Sequence, residues 1–126
     1  MGHAFEQTCV QHSLEIAQLV GFSAVDYDKG PYFVPHRPGA QGAEVDLVFD
    51  RADNVLTVCE MQYSNQPVGV EVIADMQREI ELLKPVAAGK TIQPALIVHP
   101  RASRDLLDKG YFYKVIEAQQ LLAVAA

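Results

Sequence analysis

The chain has 126 residues, 49% of them hydrophobic, with a mean hydropathy of +0.04 and a formal net charge of −6. That is enough for one domain around a single sizeable core, so residues 1–126 are expected to form one domain without a linker. No apolar run approaches a membrane span and the first residues lack a signal-type stretch, so a soluble, cytoplasmic protein with no membrane association is expected. The acidic balance excludes a protein that grips DNA by charge alone, because non-specific affinity comes from Lys and Arg set against phosphates.

From His3 to Val20 the apolar residues Phe5, Cys9, Leu14, Ile16, Ala17 and Val20 recur mainly at steps of three and four, which predicts an amphipathic helix ended by Gly21. Glu6 lies in its first turns, where a carboxylate also suits the helix dipole. Residues 22–27 and 31–36 read as short strands on either side of Asp28-Lys29-Gly30, and residues 37–42 as a loop. Beyond a turn at residues 64–67, a helix over 71–84 buries Val72, Ile73, Met76, Ile80 and Leu83. Its other side turns Asp75, Gln77, Arg78, Glu79 and Glu81 to water, and Pro85 ends it.

Residues 91–99 form a strand apolar on both faces and therefore central, closed by Pro100. Ser103 caps a short helix to Lys109, Gly110 breaks it, a strand follows over 111–116, and a helical turn over 117–122. This order gives an α/β domain with a mixed central sheet covered by helices. The crossover helix at 71–84 sets strand 91–99 parallel to a neighbour.

The centre of the pattern is Gly42-Ala43-Glu44-Val45-Asp46-Leu47-Val48-Phe49-Asp50 and its return Val55-Leu56-Thr57-Val58-Cys59-Glu60-Met61-Gln62-Tyr63. With Ala52-Asp53-Asn54 as a three-residue loop and Asn54 left-handed, Arg51 pairs with Val55, Asp46 faces Glu60 and Glu44 faces Gln62. One side, carrying Val45, Met61, Leu47, Cys59, Phe49 and Thr57, then packs. The other opposes two carboxylates with Cβ atoms roughly 4.5–5.5 Å apart, which costs stability unless something positive sits between them. Hard oxygen donors on adjacent strands suit Mg²⁺ or Mn²⁺. A solvated acidic face is the alternative, although Val48, Leu56 and Val58 on that face argue for a partly covered cleft.

Cys9 and Cys59 fall on apolar faces and are read as reduced core residues. His3, His12, His36 and His99 lack ligand spacing, and no histidine metal site is expected. Arg78, Lys84, Lys90, Arg101, Arg104, Lys109 and Lys114 concentrate in the C-terminal half, where they read as dispersed solvent-facing charges.

These residues resemble the PD-(D/E)XK, or restriction-endonuclease-like, superfamily, closest in its branch found as the C-terminal domain of certain prokaryotic AAA-type ATPases. The carriers are Gly2-His3-Ala4-Phe5-Glu6, the stretch Gly42 to Val55, and Val58-Cys59-Glu60-Met61-Gln62-Tyr63-Ser64. That branch reads much like Gly-Ala-Gln-Ile-Asp-Leu-Leu-Ile-Asp-Arg, then Cys-Glu-Ile-Lys-Phe-Ser, and the likeness runs on through the next helix. The resemblance implies a restriction-endonuclease-like sheet. It makes Asp46 and Glu60 metal-binding carboxylates, the backbone carbonyl of Met61 a further ligand, and Glu6 an acidic residue aimed at the site from the first helix.

Gln62 stands where the family usually carries Lys. The Lys is thought to position the attacking water and offset charge on the phosphoryl group, whereas Gln orients water but contributes no charge. Some nucleases of the superfamily use Gln or Glu there. No Gly-rich phosphate loop is present, so the resemblance implies a free-standing version that acts alone, pairs with itself, or serves a separately encoded ATPase or other protein. The implied activity is a Mg²⁺- or Mn²⁺-dependent phosphodiesterase acting on DNA. The alternative is a catalytically lapsed fold kept as a homodimeric or partner-binding module, which Gln62 and the acidic charge favour.

Overall fold

In the computed structural model, residues 2–39 and 42–125 are described; the expected loop over 37–42 falls partly on residues 40 and 41, outside them. Two antiparallel strands, β2 (Ala43–Arg51) and β3 (Val55–Tyr63), form the predicted hairpin. Asn54 takes φ 70° and its N–H donates to the Arg51 carbonyl at 3.3 Å, which closes the loop. A short polar side chain tolerates that left-handed conformation at modest cost. The register runs Leu47↔Cys59, Val48↔Val58, Phe49↔Thr57 and Asp50↔Leu56, as the loop length requires.

Arg51 locks the closed end of the hairpin. Its guanidinium donates to Asp53 Oδ2 at 2.6 Å, to Thr57 Oγ1 at 3.2 Å and to Gln93 Oε1 at 3.0 Å, and lies 4.5 Å from the centre of the Phe22 ring. A nearly buried guanidinium is tolerable because its fork geometry satisfies several acceptors at once. The same ion pair and hydrogen bond hold the Asp53 carboxyl below the usual carboxylate range.

β1 (Tyr27–Val34) lies antiparallel to β2, and β4 (Thr91–His99) and β5 (Lys114–Glu117) continue in parallel from β3, giving the order β1-β2-β3-β4-β5. The crossover from β3 to β4 is α3 (Glu71–Leu83) followed by a 3₁₀ turn (Lys84–Val86). α3 packs its Val72, Met76 and Leu83 on Val48, Leu56, Val58, Leu96 and Val98. The other face is covered by α1 (Gly2–Gln11), α2 (Ser13–Val20) and α5 (Ala118–Ala125) over Leu47, Phe49, Cys59, Met61 and Ile97. α4 (Arg104–Lys109) is capped by Ser103, whose hydroxyl accepts from the Leu106 N–H, and ends at Gly110 with φ 61°. No helix among the described residues is long and apolar enough to cross a membrane.

Several expectations are corrected, among them the strand expected over 111–116, which runs Lys114–Glu117. The first helix is broken at His12, whose ψ of 31° is non-helical and whose Nδ1 meets Glu15 Oε1 at 2.9 Å. Asp28-Lys29-Gly30 is strand rather than turn, held against β2 and tied to α2 by Lys29 Nζ donating to Ser13 Oγ, while residues 22–26 form a turn under the Phe22–Tyr27–Phe49 ring cluster. Val45 packs with Val48, not with Leu47 and Met61. The cause lies on the neighbouring strand: pairing shifts from Gly30↔Val48 to Tyr32↔Val45, leaving Pro31 opposite both Asp46 and Leu47. Proline has no N–H to give the ladder, and the extra residue makes a β-bulge that resets the alternation of faces.

Candidate metal centre and active site

The bulge sits where the sheet forks. The first residues of β2, Ala43 to Val45, stay paired to β1, and the last of β3, Glu60 to Tyr63, stay paired to β4. The pairing of β2 with β3 ends at Leu47↔Cys59. Asp46 and Glu60 are the next residues on each side, so the hairpin register delivers them to the mouth of the fork.

On the α1 side Asp46 lines a cavity of about 530 Å³ together with His3, Glu6, Gln7, Val10, Gln11, Pro31 and Glu44. Glu6 reaches this cavity because α1 turns the residues at 3, 6, 7 and 10 to one side, the spacing of one helix face. Burial, then the charge of Asp46 and a hydrogen bond with it, push the Glu6 carboxyl above its ordinary value. His3 opposes that rise, and the charge of Glu60 adds to it. Glu6 and Asp46 are therefore in direct contact.

On the α3 side Glu60 meets Glu79 and Gln62. The Gln62 amide donates to Glu60 Oε2 at 3.4 Å, and the Glu79 carboxyl and the Met61 N–H also donate to Glu60. Burial nevertheless outweighs these bonds and raises Glu60. Glu79 is pushed up to about 8 by burial first, then by the charge of Glu60 and the bond it donates. Closely set carboxyls of this kind favour keeping a proton between them.

Of the residues singled out in the sequence, the structure joins Glu6 to Asp46 and Gln62 to Glu60, and leaves Glu44 with the first pair, away from Gln62. The Met61 side chain is buried in the α1-side core. The expectation that Asp46 faces Glu60 is corrected: the pairing of the two strands stops at Leu47↔Cys59 and the bulge opposite Pro31 turns Asp46 toward α1 while Glu60 faces α3, and among the described residues no three His, Cys, Asp or Glu side chains form one ready-made metal set. The donor chemistry still fits a hard cation, since Mg²⁺ is commonly held by one or two carboxylates and completes its shell with water. Among the described residues, none of Glu6, Asp46, Glu60 and Glu79 is in an ion pair with Lys or Arg.

Glu79 corrects the expectation that it faces water; it is half-buried. The signal was present. Val72, Met76, Glu79 and Leu83 step by four, three and four along α3, so the carboxyl occupies a place in the buried stripe.

The site-bearing sheet, forked at its second and third strands and covered by helices on both faces, is an α/β fold of the restriction-endonuclease-like kind. Two solved structures share it. A crystal structure of a protein of unknown function, AF1548, superimposes with a TM-score of 0.57 at 17% identity over 90% of this chain and 65% of its own. A repair endonuclease from Pyrococcus abyssi gives a TM-score of 0.55 at 15% identity over 86% of this chain and 44% of its own. The chain thus spans less than two thirds of either neighbour. No protein-family model and no curated protein matches the sequence.

Proposed function

We propose that the chain is a divalent-metal-dependent nuclease domain acting on DNA. The observation that carries this reading is the fork itself, where Glu6 and Asp46 meet on one side and Glu60 and Glu79 on the other, none of them in an ion pair with Lys or Arg among the described residues. Asp46 and Glu60, with the Met61 carbonyl, would hold Mg²⁺ or Mn²⁺, which when bound polarises a phosphoryl oxygen and makes water a better nucleophile. Gln62 uses its amide N–H on Glu60, which leaves its carbonyl oxygen to accept from the attacking water. Glu6 assists from the α1 side, through a second ion or a water. That the Pyrococcus neighbour is a repair endonuclease supports DNA as the substrate class. The resemblance to ATPase-linked domains adds a separately encoded ATPase, or a second copy of the chain, as a partner.

Thermal unfolding with Mn²⁺ or Mg²⁺ tests the site without a guess at substrate, because a ligand bound only by the folded state stabilises by about 2.7 kcal/mol at a hundred times its dissociation constant. The melting temperature of the wild type is expected to rise with metal, and that of Asp46→Ala and Glu60→Ala to stay flat. Cleavage of duplex DNA in Mn²⁺ should follow the same ranking. A wild type indifferent to metal would favour the second reading, a lapsed fold used for protein binding, to which the separation of the carboxylates into two pairs gives some support.

A further inference from the structure

A nuclease with glutamine at position 62 needs a donor to the phosphoryl oxygens from somewhere else. We propose that His3 is that donor, a catalytic residue that approaches the scissile phosphate from α1; the inference rests on the nuclease reading and names which residue of the same site touches the substrate.

Four observations converge on it. His3 lines the cavity that holds Glu6, Glu44 and Asp46, one helical turn before Glu6. It is close enough for its charge to act on the Glu6 carboxyl, which also feels the charges of Asp46 and Glu60. Among the described residues that line the cavity it is the one side chain able to carry positive charge. It is also exposed, free to meet a large substrate.

On the α1 side Lys29 donates to Ser13, and Lys90 and Arg51 are held by Asp50 and by Asp53, Thr57 and Gln93 at the closed end of the hairpin; Arg78, paired with Asp75, acts on Glu79 from the α3 side. A histidine meets the requirement in either protonation state, because one ring N–H is always available to a phosphate oxygen and the second appears on protonation.

The test is cleavage of duplex DNA in Mn²⁺ by wild type, His3→Ala, His3→Lys, Gln62→Lys and the double variant His3→Ala with Gln62→Lys, each paired with its metal-dependent melting shift. His3→Ala is expected to lose cleavage on the order of 100-fold, the usual scale for removing one such donor, while keeping the melting shift. His3→Lys should stay within about tenfold of wild type. With lysine restored at position 62 the His3→Ala loss should shrink below about tenfold, because two donors to one charge are not additive. Unchanged cleavage by His3→Ala, an equal loss in the Gln62→Lys background, or loss of the metal shift, which would make His3 a ligand, each overturns the proposal. A wild type that shows neither metal shift nor cleavage instead overturns the nuclease reading beneath it.

Discussion

At Glu79 the buried stripe of α3 carries a carboxyl that donates to Glu60, and the consequence is a stability that depends on pH in an unusual direction. Its folded-state value of about 8 lies above the 4.5 of an unperturbed glutamate, so between those pH values the folded chain keeps a proton that the unfolded chain has lost. Stability from this group is complete below pH 4.5 and declines as pH rises through 8, the reverse of a salt-bridged carboxylate. Glu79→Gln keeps a donor for Glu60 and removes the charge. It should stabilise at pH 8.5 by about 1 kcal/mol after allowing for solvent screening of a half-exposed group, or roughly 4 °C in melting temperature, and do little at pH 4. Melting curves at the two pH values check it, and an equal gain at both would show that packing rather than charge is at work. Single-residue chemistry was legible only in part: the strands carry Asp46 and Glu60 to the mouth of the fork, but their expected opposition across the hairpin is lost, because the bulge opposite Pro31 turns Asp46 toward α1 while Glu60 meets α3. It was not legible at Glu79, because Ile80 beside it offered the same stripe an apolar residue and a helix face admits either reading.

The hairpin shows the same contrast at the level of elements. Its register follows from one turn residue: Asn54, left-handed at φ 70°, closes the three-residue loop and sets every pair from Asp50↔Leu56 to Leu47↔Cys59. Replacing Asn54 by Val should therefore cost about 1–2 kcal/mol in urea unfolding, the penalty for a β-branched side chain in that region, while Asn54→Gly should cost little. Equal costs for both would locate the effect in the side chain's contacts instead. The face on which Val45 and Asp46 point did not follow from the hairpin, because it is decided by Pro31 on another strand. A bulge is a two-strand property, and a reading of β2 and β3 alone has no access to it. The break between α1 and α2 is similar in kind, since the apolar steps run on through His12 while its backbone does not. By contrast β4, apolar on both faces, and α4, with Ser103 and Gly110 at its ends, are marked by local signals and were legible to the residue or nearly so.

For the whole molecule the governing quantity is charge. Ten Lys and Arg stand against sixteen Asp and Glu, and of the cations concentrated in the C-terminal half Arg78, Lys84, Lys90 and Arg104 are each paired with an acidic neighbour, which thins any basic track there. Affinity for DNA through phosphate neutralisation scales with the number of such contacts, and each adds close to one unit of slope in the logarithm of binding against the logarithm of salt. A chain with this surface should bind a fluorescent duplex weakly without divalent ions. With Mn²⁺ added, and cleavage blocked by Gln62→Ala, binding should appear but fall by no more than about tenfold between about 50 and 200 mM NaCl, the slope of one or two phosphates. The metal, rather than a basic surface, then provides most of the attraction, and substrate is chosen by what fits the fork. A loss nearer a thousandfold would mean that a basic surface is assembled on binding. Since the solved neighbours extend well beyond the part this chain matches, the first place to look for that surface would be a second copy or a separate protein docked beside the fork.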